Sequence, residues 1–255
     1  MIHEPLAGID SPIHRLDPRV RLAACAGLSL LAALAGTPAA PLLILAFALA
    51  AVVLSRPPWG YALRQALAVN LFILFLWLFL PFTAPGATVG QILDLPVSRE
   101  GIQLAMLVTL KGNAVFLCVL ALLATIPVTA LGQAMAALGI PAKLAFIFVF
   151  TYRYLHVIAE EYSQMKTAAV LRGFVPATDR RTYRTYGALV AMVLVRSHDR
   201  AQRVYQAMLL RGFQGAFPSL HRFQIRPGDI LFLIIAVATG IAAAGLEIST
   251  RLAHG

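Results

Sequence analysis

Two arginines in this chain occupy the same short frame. Ala-x-x-Leu-Arg-Gly-Phe occurs as "AAVLRGF", ending at Phe174, and again 39 residues later as "AMLLRGF", ending at Phe213. Arg172 and Arg211 each carry a planar guanidinium whose donors match a carboxylate in a two-point fork, so each suits an acidic surface on a partner. Leu171 and Leu210 precede them and can fill an apolar groove that grips a helix end. Gly173 and Gly212 follow, where a glycine can take the left-handed conformation that stops a helix. One reading makes these two similarly capped helices, with each arginine matched to its helix dipole. That explains the Arg-Gly pair, but not the shared Ala, Leu and Phe, which point to two equivalent docking ends.

Other chemistry is thinly supplied. The histidines, His3, His14, His156, His198, His221 and His254, show no HxH, HxxxH or HExxH spacing, so no metal site is expected from this chain. Met1-Ile2-His3 could bind a late transition metal through its free amine, although a loose terminus is the simpler expectation. No GxxxxGK[ST] loop or GxSxG elbow is present, so no catalytic residue is expected and ATP must be bound by another chain. Cys25 and Cys118 lie in apolar runs and read as small buried hydrophobes.

The elements that hold the two arginines follow from composition. Hydrophobic residues make up 60% of the 255 and charged residues only 13%, against roughly a quarter charged in soluble proteins. The pattern is that of an all-α integral membrane protein. Five transmembrane helices are expected, on apolar runs at Leu22–Gly36, Pro41–Leu54, Ala66–Phe82, Gly101–Ile126 and Ile230–Leu246. The first run also has features of a signal peptide, but its long lead with Pro and Asp favours a retained helix. Lys111 and Asn113 lie inside the fourth run. A charge there favours contact with protein over lipid, either with another membrane subunit or with Asn70 or another helix, and a snorkelling lysine is the alternative.

Charge is distributed unevenly. The net charge is +10, and 13 of the 21 Lys and Arg fall between Pro127 and Pro227, against four acids there. The positive-inside rule places that segment and the N-terminus in the cytoplasm and makes nucleic acid an unneeded partner. Within the segment, Leu155, Ile158, Tyr162, Met165 and Ala169 recur at helical spacing, as do Val190, Val193, Ser197, Ala201, Val204 and Met208. Two long amphipathic helices are expected, the second with a basic stripe, Arg196, Arg200 and Arg203, opposite its apolar one. Glu160 and Glu161 can pair with basic neighbours where the helices cross. The expected organisation is residues 1–126 as an N-terminal lead and four spans, 127–227 as the cytoplasmic helix region, and 228–255 as a last span. Breaks at Pro141, Pro176 and Pro218 punctuate the middle region.

The stretches "YRYLHVIAEEYSQMKTAAVLRGF" (Tyr152–Phe174) and "LVRSHDRAQRVYQAMLLRGFQG" (Leu194–Gly215) resemble the transmembrane T component of energy-coupling factor (ECF) transporters, in particular its cobalt-type, CbiQ-like member. "SPIHRLDPRVRL" (Ser11–Leu22) and "GIPAKLAF" (Gly139–Phe146) fit the same family, and the similarity runs from Ser11 to Phe232. The resemblance implies that the amphipathic pair are coupling helices. Leu171, Arg172 and Gly173, and Leu210, Arg211 and Gly212, would each dock on one of two ATP-binding cassette ATPases. Both copies here have Leu where the family often has Ala. The resemblance further implies a multi-pass subunit of the bacterial inner membrane that binds no cofactor itself. ATP and magnesium would sit on the ATPases, and cobalt on a separate membrane substrate-binding subunit. A T component for nickel or a vitamin, and a stand-alone carrier or channel, are the competing expectations.

Overall fold

The computed structural model describes residues 11–85, 88–92, 95–213 and 226–254. Met1-Ile2-His3, His221, the Pro218 break and the C-terminal Gly255 lie outside them. The chain is an all-α membrane protein. Its helices are α1 (Pro18–Leu34), α2 (Ala39–Ser55), α3 (Trp59–Thr83), α4 (Arg99–Cys118), α5 (Val128–Ala137), α6 (Ala142–Leu171), α7 (Arg180–Leu210) and α8 (Pro227–His254). A short antiparallel hairpin, β1 (Thr88–Ile92) and β2 (Leu95–Ser98), joins α3 to α4; the sequence reading treats that stretch as plain loop.

The described chain divides into two compact units, one holding α6 and α7, the other holding α1 to α4 and α8. In the second unit, α1, α2, α4 and α8 pack together, and α3 lies against α4. The core is built largely from alanine: Ala24 and Ala32 on α1, Ala48 on α2, Ala114 on α4, Ala236 and Ala243 on α8, with Leu28 and Ile44 between them. Small residues let apolar helices approach closely, which is how helices associate where lipid removes the hydrophobic drive. Gly101 marks the tightest approach. A Cβ there would sit 2.5 Å from the Leu80 carbonyl oxygen of α3, and the Ser98 hydroxyl accepts from the Gly101 amide at 2.9 Å as the N-cap of α4.

Helix length redraws the list of spans. Among the described residues, four helices are long and apolar enough to cross a bilayer: α3, α4 with its continuation to Leu123, α6, and α8 to Thr250. Three coincide with expected spans. Helices α1 and α2 have 17 residues each, about 25 Å at 1.5 Å per residue against a hydrocarbon core of about 30 Å. Helix α6, assigned from sequence to the cytoplasm, joins the set because its first half carries Phe146, Ile147, Phe148, Val149 and Phe150 between Lys143 and Arg153. Its polar second half dominates the sequence pattern.

Two cationic side chains tie α1 to α4. Arg21, 2% exposed, donates from Nε to the Leu122 carbonyl at 3.2 Å and from Nη2 to the Thr125 hydroxyl. The Leu122 carbonyl lies in a π-helical turn, Val119–Leu123, that ends the α4 helix; such turns displace the normal hydrogen-bond ladder. Near the other end of α1, Lys111 donates from Nζ to the Ala33 carbonyl at 3.0 Å. That carbonyl is among the last of α1, where orphan acceptors and the negative dipole end favour a cation. Replacing Arg21 by Met leaves the Leu122 carbonyl without its donor, which costs about 1–3 kcal/mol. Thermal unfolding in detergent is expected to show the variant clearly destabilised, and an unchanged midpoint would refute this role.

Asparagines bind α3 to α4. The Asn70 amide donates to the Asn113 Oδ1 at 3.0 Å, and Asn113 donates back to the Asn70 Oδ1 at 3.1 Å. Lys111 and Asn113, grouped from sequence as one intramembrane polar contact, therefore reach different helices. Two positions apart on a helix of 100° per residue, they point to opposite sides of α4. Two carboxylates of α8 are also occupied by structure. Glu247 on α8 accepts from the Gly36 and Thr37 amides at 2.7 and 3.2 Å, holding the α1–α2 turn. Asp229 accepts from the amides of Asp17 and Arg226 at 2.7 and 2.6 Å.

Candidate coupling site

Helices α6 and α7 end in the same way, bond for bond. At the end of α6, the Phe174 amide donates to the Ala169 carbonyl at 3.0 Å and the Gly173 amide to Val170 at 2.9 Å. At the end of α7, the Phe213 amide donates to Met208 and the Gly212 amide to Leu209, both at 3.0 Å. This pairing of a six-to-one and a five-to-two bond is the Schellman C-cap. It requires a left-handed residue, and Gly173 and Gly212 supply it at φ +84° and +80°. The "LGIP" break uses the same device at Gly139, φ +94°, where Ile140 bonds back to Met135.

The caps display the residues before them. Leu171 is 83% and Leu210 90% exposed, and Arg172 and Arg211 are exposed beside them. Among the described residues, neither arginine is paired with a carboxylate. The following phenylalanines turn inward instead. Phe174 meets Tyr186 of α7 edge-on with ring centroids 5.6 Å apart, and Phe213 meets Phe146 of α6 at 6.0 Å. Each motif thus has an anchored half and a displayed half.

These ring contacts also fix the pairing of the helices. The end of α6 lies against the start of α7, and the end of α7 against the start of α6, so the two run antiparallel. At 30 and 31 residues, each is on the order of 45 Å long. The two Leu-Arg-Gly ends therefore stand at opposite ends of the pair, separated by about that distance.

Between the ends, one carboxylate joins the helices. Glu161 of α6 accepts from Arg200 at 2.7 Å and from Arg196 at 3.4 Å on α7. Glu160 pairs instead with His156 one turn back on its own helix, at 2.9 Å. The apolar stripes face each other at Ile158, Tyr162, Met165 and Ala169 on α6 and at Val193, Ser197, Val204 and Met208 on α7, all half-buried, while Leu155, Val190 and Ala201 remain exposed. The basic stripe of α7 is not opposite its apolar one. Arg200 lies three residues from Ser197 and four from Val204, on the shared face of a 3.6-residue turn, and so reaches Glu161.

The start of α7 is set by Asp179, whose carboxylate accepts from the Thr182 amide at 2.7 Å, while the Thr182 hydroxyl accepts from the Ala177 amide at 3.0 Å. The side-chain and backbone hydrogen bonds from Thr182 hold the Asp179 carboxyl below its ordinary value of 3.8. A carboxyl depressed on folding contributes to stability above its unfolded value, and the contribution disappears as pH falls through the lower folded value. Exchange protection of the Thr182 amide, corrected for intrinsic rate, is expected to be flat above pH about 5 and to fall in acid. In Asp179→Ala it is low throughout. Protection independent of both pH and Asp179 would contradict the cap.

Among the described residues no group of three or more His, Cys, Asp or Glu could hold a metal ion. The parts that the α6–α7 pair displays to a partner are its two exposed Leu-Arg ends.

The family described as CbiQ, cobalt transport protein, matches residues 10–224, which takes in the whole α6–α7 pair with both capped ends. The chain belongs to this family. Its curated relatives include a cobalt transport protein CbiQ of Rhodobacter capsulatus, 29% identical over 59% of this chain and 61% of its own length. An uncharacterized protein of Methanocaldococcus jannaschii is 28% identical over 56% of this chain and 53% of its own length. The chain thus spans somewhat over half the length of these two relatives. An energy-coupling factor transporter transmembrane protein EcfT of Streptococcus equi is 26% identical over 95% of both chains. Family membership agrees with the multi-pass helical architecture and covers the motif-bearing segment without a break.

Proposed function

We propose that this chain is the transmembrane coupling subunit of an ATP-driven ECF-type importer, and that its cargo is cobalt ion. The carrying observation is the pair of matched Schellman ends, each displaying an apolar knob and a guanidinium with no carboxylate partner among the described residues, on the order of 45 Å apart. Two such ends suit two copies of one partner, and the resemblance to the T component of energy-coupling factor transporters supports its kind: two ATP-binding cassette subunits, with Arg172 and Arg211 each set in an acidic, apolar-lined groove. ATP and magnesium are bound by those subunits, and this chain is not an enzyme. The cargo is held by a separate substrate-binding subunit in the membrane. The cobalt reading is supported by the name of the Rhodobacter capsulatus relative.

In this account the N-terminus, the α2–α3 connection with Arg56 and Arg64, and the α6–α7 pair lie on the cytoplasmic side of a bacterial inner membrane, following the basic excess of those segments. Helix α6, although long and apolar enough to span, is read as lying along that surface, so that both Leu-Arg ends can reach the ATPases. When the ATPases close, the two docked ends are drawn together, and helices crossing at the Glu161–Arg200 contact turn about that point. The break at Pro141, preceded by left-handed Gly139, is where the movement of α6 is absorbed. Uptake of labelled cobalt by host cells lacking the chain tests the assignment. Uptake is expected to be lost and to return with the wild-type gene, while loss of nickel or vitamin uptake with cobalt uptake intact would overturn the cargo reading.

A further inference from the structure

A second cationic feature lies in the other unit. The start of α1, the end of α2 and the start of α8 converge on a cleft of about 490 Å³, bordered by Arg15, Arg56 and Arg226. All three arginines are exposed, and among the described residues none is paired with a carboxylate. Asp229 lies on the cleft floor, 1% exposed. Its carboxylate is held by the backbone amides of Asp17 and Arg226 and sets one negative charge on the floor against the three arginines of the rim. Arg19 is taken up by Asp17 at 2.9 Å and does not contribute.

The backbone supports the same concentration of positive charge. Two helix N-termini, of α1 and α8, point toward the cleft and only one C-terminus, that of α2, so the net dipole contribution is positive. Arg56 is the only non-glycine residue with positive φ among the described residues, at φ 47° and ψ 51°. A left-handed arginine is strained, and such outliers persist where the surroundings hold them. Here it ends α2 directly before Pro57 and sets the Arg56 side chain on the rim.

We infer that this cleft binds the phosphate of an anionic phospholipid headgroup. The ends of three apolar helices place it at the depth where lipid phosphates lie. Below the rim, Val53 and Leu54 of α2 and Ile230 and Leu231 of α8 are exposed apolar surface, which suits acyl chains and has no use for a soluble anion. Basic side chains at the bilayer surface each add affinity for anionic lipid of about fivefold, so three give about 100-fold.

The test uses the full chain in detergent, titrated with short-chain phosphatidylglycerol, short-chain phosphatidylcholine and inorganic phosphate, with bound lipid counted by native mass spectrometry. Phosphatidylglycerol is expected to bind selectively, and Arg15→Gln/Arg56→Gln/Arg226→Gln to weaken it about 100-fold. An Arg180→Gln/Arg181→Gln/Arg184→Gln variant, altered in the other unit, keeps wild-type affinity. Should the triple variant fail to fold, the three single variants carry the test at about fivefold each. Equal binding of the two lipids, unchanged affinity in the cleft variants, or displacement by inorganic phosphate at the same concentration as by lipid would each overturn the assignment.

Discussion

An Arg172→Glu/Arg211→Glu variant is expected to insert into the membrane at wild-type level and to lose the ATPase partners proposed above. Both arginines are exposed and unpaired among the described residues, so the packing of the α6–α7 pair has no need of their charge. At an acidic groove the change removes a charge-assisted pair and sets like charges against each other. Disrupting a buried interfacial charge pair costs about 2–5 kcal/mol, at least thirtyfold in affinity at each end. The single variants are expected to retain one ATPase and lose the other, because the two ends stand far apart and dock independently. ATP-dependent uptake fails in all three. Wild-type uptake by the double variant would remove the coupling role from both motifs.

The second large effect is expected at Glu161. It is the only described carboxylate of α6 that reaches α7, and two arginines converge on it. Glu161→Gln leaves Arg196 and Arg200 facing each other without an anion. Breaking a buried pair by removing one partner costs about 3–5 kcal/mol. Here the arginine side chains are 50% and 37% exposed, and solvent screening reduces the figure to about 1–2 kcal/mol. The consequence is a looser crossing, with motion at the two ends no longer shared: ATP hydrolysis continues and uptake falls. The exchange Glu161→Arg/Arg200→Glu rebuilds one pair and is expected to restore part of the uptake. If Glu161→Gln transports normally while the helix ends still bind ATPase, the crossing contact is not the fulcrum.

Sequence and structure agree best where a structural signal is local in the chain. The Leu-Arg-Gly ends could be read because one glycine after an apolar helical stripe signals a left-handed cap, and its repetition at Phe174 and Phe213 signals equivalence. The inward turn of the two phenylalanines was not legible, since it depends on Tyr186 and Phe146 arriving from the other helix. The same limit hid Arg21, which counts in sequence as one more basic residue before a span. Its partners, Leu122 and Thr125, lie about a hundred positions away, within and just after a π-helical turn that no pattern announces. Glu247, holding the α1–α2 turn from α8, is a further case. Asn70 and Asn113 could be seen as intramembrane polar residues, but their pairing needed the packing of α3 on α4. The hairpin at Thr88–Ser98 escaped because its strands are short and carry Gly90 and Pro96. Helix α6 changes character halfway along, so a pattern fitted to its amphipathic end misjudged its apolar start.

The most direct test of the central claim is to purify the tagged chain from its native host in mild detergent and identify what comes with it by mass spectrometry. The Arg172→Glu/Arg211→Glu variant is purified in parallel. The account predicts an ATP-binding cassette ATPase and a second membrane protein with the wild type, and the membrane protein without the ATPase in the variant. Recovery of the chain alone, transporting ions by itself after reconstitution, would contradict it, as would an ATPase that stays bound to the double variant.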